Sequence, residues 1–179
     1  MSVIIFDTET TGLPLPDASP LSQQPYITEY CACRIEPDGS KRWYETLIKV
    51  PIPLSPEITK ITGLTDADLE GQPTFLQQVD AMKEFCIGAR RWVAHNIEFD
   101  LKLMKYDLMR IGHQMKFPWP LEHVDTVAAS LPIKGRRMKL AQLHMELFGE
   151  KFEGAHRARA DVEALVRCYE AMVEKGLVD

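Results

Sequence analysis

Apolar and polar positions recur along this chain in two rhythms, and each change of rhythm marks an element. Ser2 to Phe6 is a short β-branched apolar run, the composition of a strand covered on both faces. Ile27 to Ile35 and Trp43 to Val50 are strand-like runs flanking Glu36-Pro37-Asp38-Gly39-Ser40, a turn sequence that predicts a hairpin. Between the first strand and this hairpin, PLPDASPLSQQP (14–25) is dense in proline and small polar residues, which predicts an exposed loop without regular structure. Pro51 to Pro56 predicts a second proline-rich connection.

Beyond it the period lengthens. Phe75, Val79, Met82 and Cys86 fall at helical spacing, and Arg91 to His95 returns to a short strand. Ile97, Leu101, Met104, Leu108 and Ile111 form a second helical stripe, with Gly112 as its stop signal. Glu122 to Thr126 reads as one more strand, and Leu140 to Phe148 as a short helix closed by Gly149. Val162, Leu165, Val166, Tyr169, Met172 and Val173 make the last helix amphipathic. Early strands followed by alternating helices and strands predict an α/β fold, a mixed central β-sheet flanked by α-helices.

The 179 residues suit one domain spanning 1–179, with no repeat or linker. Apolar residues at 45% and charged ones at 26% exclude a disordered chain. No apolar run is long enough to cross a bilayer, and the N-terminus lacks a secretory pattern, so no membrane partner and a cytoplasmic location are expected. Cys31, Cys33, Cys86 and Cys168 lack zinc-ligand spacing and read as small core hydrophobes. The net charge of −5 argues against a tight nonspecific nucleic-acid binder, but not against an enzyme whose acidic centre recruits divalent cations.

That centre can be read from the acids. Asp7 and Glu9 follow the first strand two residues apart, which in extended chain puts both carboxylates on one face. Such a pair repels unless a cation sits between. Asp100 occupies a position in the stripe of Ile97, Leu101, Met104 and Leu108 where a hydrophobe belongs. Asp161 does the same at the start of the last helix, between Ala158 and Leu165. Helix capping and the helix dipole account for either acid singly, but not for two helices aiming acids inward while a strand supplies two more. Four carboxylates suit neutralisation by two Mg²⁺ ions, with Mn²⁺ able to substitute, and two ions roughly 4 Å apart suit phosphodiester hydrolysis. His156, five residues before Asp161, belongs to the loop preceding the helix, where Gly154 and Ala155 leave its imidazole free to act as general base.

With these residues in place the sequence resembles the DEDDh exonucleases, the group that includes the proofreading subunit of bacterial DNA polymerase III and exonuclease X. FDTETTGL (6–13) resembles the first family motif, AHNIEFD (94–100) the second and HRARAD (156–161) the third; ITGLT (61–65) and Asp125-Thr126 resemble weaker signposts. The resemblance implies a ribonuclease H-like fold, Asp7, Glu9, Asp100 and Asp161 as metal-binding acids, and His156 as base. It further implies that Thr8, Thr10, Leu13, His95, Asn96 and Phe99 hold the terminal nucleotide, although core packing for Leu13 and Phe99, and loop orientation for His95, are equal readings of the residues. Thr62 stands where relatives often carry histidine, and the 14–25 loop is longer and richer in proline than the family pattern. No extension follows the last helix, which gives the expectation of a free-standing or phage-type nuclease.

The expected activity is 3′→5′ hydrolysis of single-stranded DNA or frayed 3′ ends to nucleoside 5′-monophosphates. RNA remains an alternative substrate, because the motifs address phosphate and metal, whereas sugar choice rests on contacts to the 2′-hydroxyl. A catalytically dead binding module is disfavoured, since no acid and no histidine is lost. A basic run, Lys134, Arg136, Arg137 and Lys139, is expected to meet phosphates of the incoming strand. The residues leave open a replication or repair partner and a homodimer.

Overall fold

A computed structural model describes residues 1–179. Five strands form one mixed sheet in the order β3-β2-β1-β4-β5: β1 (Val3–Thr10), β2 (Ile27–Ile35), β3 (Lys41–Leu47), β4 (Arg91–Ala94) and β5 (Glu122–Asp125). The first three are antiparallel neighbours, whereas β4 runs parallel to β1 and β5 parallel to β4. This is the mixed sheet flanked by helices expected of a ribonuclease H-like fold, with β1 at its centre. Strand β3 begins earlier than its apolar pattern suggests, because the turn closes between Glu36 and Ser40 and pairing resumes at once with Lys41 opposite Ile35.

Alternation along β1 divides the core and also aims the acids. Ile4 and Phe6 face a layer built from α3 (Phe75–Cys86) and α4 (Ile97–Arg110), in which Val79, Met82, Met104 and Leu108 are buried. Ile5 faces the opposite way, onto Val162, Leu165, Val166 and Tyr169 of the last helix. By the same period of two, Asp7 and Glu9 share the face of Ile5, and Thr8 shares that of Phe6. All four cysteines are buried and unpaired, and burial raises their thiols, up to about 11 for Cys33 and about 12 for Cys86 and Cys168.

The proline-rich connection from Pro51 ends where helix α1 (Pro56–Thr62) begins; α1 and the following α2 (Asp66–Leu69) were not foreseen, because they lack a long apolar stripe, but they carry start signals. Ser55 caps α1 ahead of Pro56, and Thr65 with Asp68 forms a reciprocal capping box at α2. The 14–25 loop is also less free than its composition suggests, with a 3₁₀ turn at Leu21–Gln23 and a buried Gln24. The Gln24 side chain accepts from Leu15 N at 2.9 Å, and Arg110 of α4 donates to the carbonyls of Leu21 and Pro25 at 2.9 and 3.0 Å. Tertiary hydrogen bonds thus replace the internal ones that proline denies the loop.

The remaining helices are α5 (Thr126–Ala129), α6 (Leu131–Lys134), α7 (Leu140–Phe148) and α8 (Ala158–Glu174). The strand expected over 122–126 stops at Asp125, whose carboxylate caps α5 by accepting from Val127 N at 3.0 Å. No helix is long and apolar enough to cross a membrane.

Candidate active site

The C-terminal ends of β1 and β4 open onto a cluster of acids drawn from both layers. Strand β1 delivers Asp7 and Glu9 beside α8, and a register break between Glu9 and Thr10 ends its regular pairing there. Asp100, in the first turn of α4, is only 2% exposed. It is held by Thr8, whose backbone N–H and hydroxyl both donate to Asp100 Oδ1, at 3.0 and 2.7 Å. Alternation therefore explains the pairing: the residue between the two acids points at the helix that carries the third.

Helix α4 is aimed by the turn before it. Asn96 adopts a left-handed backbone (φ 74°), uncommon for a residue with a side chain, and its N–H donates to Asp125 Oδ1 at 2.9 Å. His156 repeats the device before α8, with φ 70° and its N–H donating to Asp161 Oδ2 at 2.8 Å. Strained backbone of this kind concentrates at functional sites and persists where the surroundings hold it. Gly154 tightens the same loop at φ 77°, where a Cβ would lie 3.1 Å from the Ala160 side chain. Ligand atoms of Glu9, His156 and Asp161 lie within 4.8 Å of one another.

The electrostatics are those of a site built for counter-charge. Burial, with Asp161 and Glu29 nearby, pushes the Glu9 carboxyl up to about 8. Burial takes Asp100 up to about 7 against the opposing pull of its Thr8 hydrogen bonds. Asp7 is raised well above the carboxylate range by burial and then by Asp100, Asp161 and Glu9. Asp161 is raised by burial, which outweighs the His156 contacts. Acids that resist ionising together, all offering oxygen donors with one imidazole alongside, fit divalent cations of the hard type.

The residues expected to hold a nucleotide divide into two sets. Leu13, 79% exposed, and half-buried Phe99 line a cleft of about 520 Å³ beside Glu9, together with Ile58, Ile61 and Thr62 of α1. Thr8 and Thr10 also border this cleft, but their hydroxyls are turned to protein: Thr8 to Asp100, and Thr10 to Gly12 O at 2.7 Å. Both ring nitrogens of His95 are engaged, Nδ1 with Thr126 Oγ1 at 2.9 Å and Nε2 with Met138 O at 3.0 Å. The Met138 carbonyl only accepts, so Nε2 carries a proton, and His95 serves as a strut between β4 and the 136–139 loop. Exposed Asn96 acts through its backbone.

Sequence reasoning missed Glu29. It interrupts the buried run of β2 opposite Glu9 and binds Arg157. A charge inside an apolar strand was its only local signal.

The exonuclease family profile (RNase_T) matches residues 4–169. The DNA polymerase III subunit epsilon of Treponema pallidum (strain Nichols) is 31% identical over 173 residues, covering 94% of this chain and 74% of that protein. The PolC-type DNA polymerase III of Caldanaerobacter subterraneus is 29% identical over 178 residues, which are 96% of this chain but 12% of that much longer protein. Among solved structures, the nuclease domain of 3′hExo, a DEDDh family member bound to rAMP, superposes with a TM-score of 0.78 at 15% identity, covering 98% of this chain and 93% of that one, a likeness of fold. With a family match over nearly its whole length, the chain belongs to the exonuclease family, as a 3′→5′ exonuclease domain.

Proposed function

We propose that this protein removes nucleotides from the 3′ end of single-stranded or frayed DNA, releasing nucleoside 5′-monophosphates. The observation that carries the reading is the convergence of Asp7, Glu9, Asp100 and Asp161, from one strand and two helices, around a site that His156 reaches within 4.8 Å of Glu9 and Asp161. These acids would hold two Mg²⁺ ions, or Mn²⁺ in their place. Bound there, the ions supply the Lewis acidity that activates water and stabilises charge on the phosphate.

The chain's own residues do the rest. His156 accepts a proton from the water whose oxygen attacks phosphorus, and its glycine-containing loop lets the imidazole follow that water. The bond from phosphorus to the 3′ oxygen of the penultimate nucleotide breaks, and that oxygen takes up a proton to leave a shortened strand with a free 3′-hydroxyl. Leu13 and Phe99 hold the terminal base in the cleft beside Glu9, fixing the scissile bond over the acids. Thr8 keeps Asp100 oriented, and Asp125 and His95 keep the α4 turn in place.

DNA is favoured over RNA because the relatives are named as a DNA polymerase III subunit epsilon and a PolC-type DNA polymerase III. Their names also make a replication partner the corresponding reading for this chain, and the raised acids favour a live enzyme over a binding module. The test uses 5′-labelled DNA and RNA of equal sequence with Mg²⁺, with EDTA, and with the Asp161→Ala and His156→Ala variants. A ladder shortening from the 3′ end on DNA alone supports the proposal. Equal degradation of RNA refutes the sugar preference, and activity surviving in EDTA refutes the dependence on metal.

A further inference from the structure

Glu29 is a fifth acid at this site, and the reaction outlined above gives it no part. It lies on β2 opposite Glu9 and is 6% exposed, yet it reaches across to the start of α8. Its Oε2 accepts from Arg157 Nε at 3.1 Å and from Ala158 N at 3.3 Å, and its Oε1 accepts from Arg157 Nη2 at 3.2 Å. A planar guanidinium meeting a carboxylate on two parallel bonds fixes orientation as well as distance.

This contact caps a helix from outside. Arg157 occupies the N-cap position of α8 and offers no side-chain cap, so the Ala158 amide would lack a partner without Glu29. The two gripped residues sit between the base and an acid. His156 is one residue upstream in its left-handed conformation, and Asp161 lies one turn downstream, its own N–H donating to Arg157 O at 3.0 Å. The strained turn at His156 is held at one end by Asp161 Oδ2 and at the other by the grip on Arg157.

We infer that Glu29 and Arg157 are a positioning pair, a clamp between β2 and α8 that holds His156 and Asp161 in register with Asp7 and Glu9. Arg157 also offsets the charge that Glu29 adds, so the clamp is tolerated among the metal-binding acids. The inference rests on the hydrolytic reading of the site, but its structural half does not.

The test compares wild type with Glu29→Gln, Arg157→Gln, Arg157→Lys and the double Gln variant. Amide hydrogen exchange at His156, Ala158 and Asp161 is read without substrate, and kcat and KM on single-stranded DNA with Mg²⁺. Either Gln change is expected to speed exchange at these amides about tenfold and to cut kcat about 10- to 100-fold, with KM within about threefold. The double variant should match the worse single one, because partners in one interaction are not additive. Arg157→Lys, which keeps the charge but not the fork, should fall between wild type and Arg157→Gln. If Glu29→Gln does not fold, the Arg157 variants carry the test, since that side chain is 47% exposed. Unchanged exchange, additive losses, or a raised KM with kcat intact would overturn the clamp, the last pointing to Arg157 as a direct phosphate ligand. Faster exchange in variants of a wild type that cleaves nothing would support the clamp and sink the nuclease reading instead.

Discussion

Replacing Asp100 with asparagine should stabilise the metal-free protein while abolishing its activity. Asparagine retains the oxygen that accepts both Thr8 bonds, so the change removes charge and little else. Burial raises Asp100 from 3.8 to about 7, so the folded state resists its ionisation. A shift of about three units corresponds to about 4 kcal/mol, and competition with Asp7 for a proton lowers what one substitution returns to about 2–4 kcal/mol. Because the folded value lies above the unfolded one, this contribution to stability is complete below about pH 4 and is lost as pH rises through about 7. Thermal unfolding in EDTA should therefore show Asp100→Asn melting with wild type at pH 4 and roughly 4–16 °C above it at pH 8, given 2–4 °C per kcal/mol for a chain of this size. Saturating Mg²⁺ should narrow that gap, since binding at about one hundred times Kd adds about 2.7 kcal/mol to wild type and less to the variant. A variant that melts at or below wild type in EDTA at pH 8 would show that Asp100 is not ionised against the cost of its burial, and the argument that this acid is held for a cation would fail.

Three further outcomes are expected. His156→Ala should lower kcat by about 10²- to 10⁴-fold, with a thermal midpoint near that of wild type, because the exposed imidazole makes no protein hydrogen bond and the backbone bond to Asp161 survives. Leu13→Ala and Phe99→Ala should each weaken capture of the terminal base by about 1–3 kcal/mol, read as a raised KM on short single strands. Replacing Arg136, Arg137 and Lys139 by alanine should flatten the salt dependence of single-strand binding by about 0.7 for each phosphate that is no longer neutralised, measured by fluorescence anisotropy in the His156→Ala background. Lys134 is held by Glu146 at 3.0 Å and should contribute less.

Periodicity was enough to foresee the central strand, the hairpin, the stripes of α3, α4 and α8, and the inward aim of Asp7, Glu9, Asp100 and Asp161. Each of these depends on neighbours within a few residues, which the backbone geometry of strand and helix orients directly. The same pattern does not distinguish Asp100 from Asp107, two turns further along α4 and also buried. Only tertiary structure does so. Asp107 is neutralised by Arg110 and accepts from Ile27 N at 2.9 Å, whereas Asp100 has hydrogen-bond donors but no cation.

The same division runs through the rest of the site. Thr8, read as a substrate contact, is turned to Asp100 across 92 residues, and His95 is spent on Thr126 and Met138. The grip of Glu29 on Arg157 spans 128 residues, and the 14–25 loop is fixed by an arginine 85 residues away from Pro25. Which residue types face inward, and the chemistry they bring, is legible from spacing along the chain, because that information is local. Which polar group satisfies which is set by the folded packing, since a buried donor or acceptor takes the partner brought to it, and packing is a property of the whole chain.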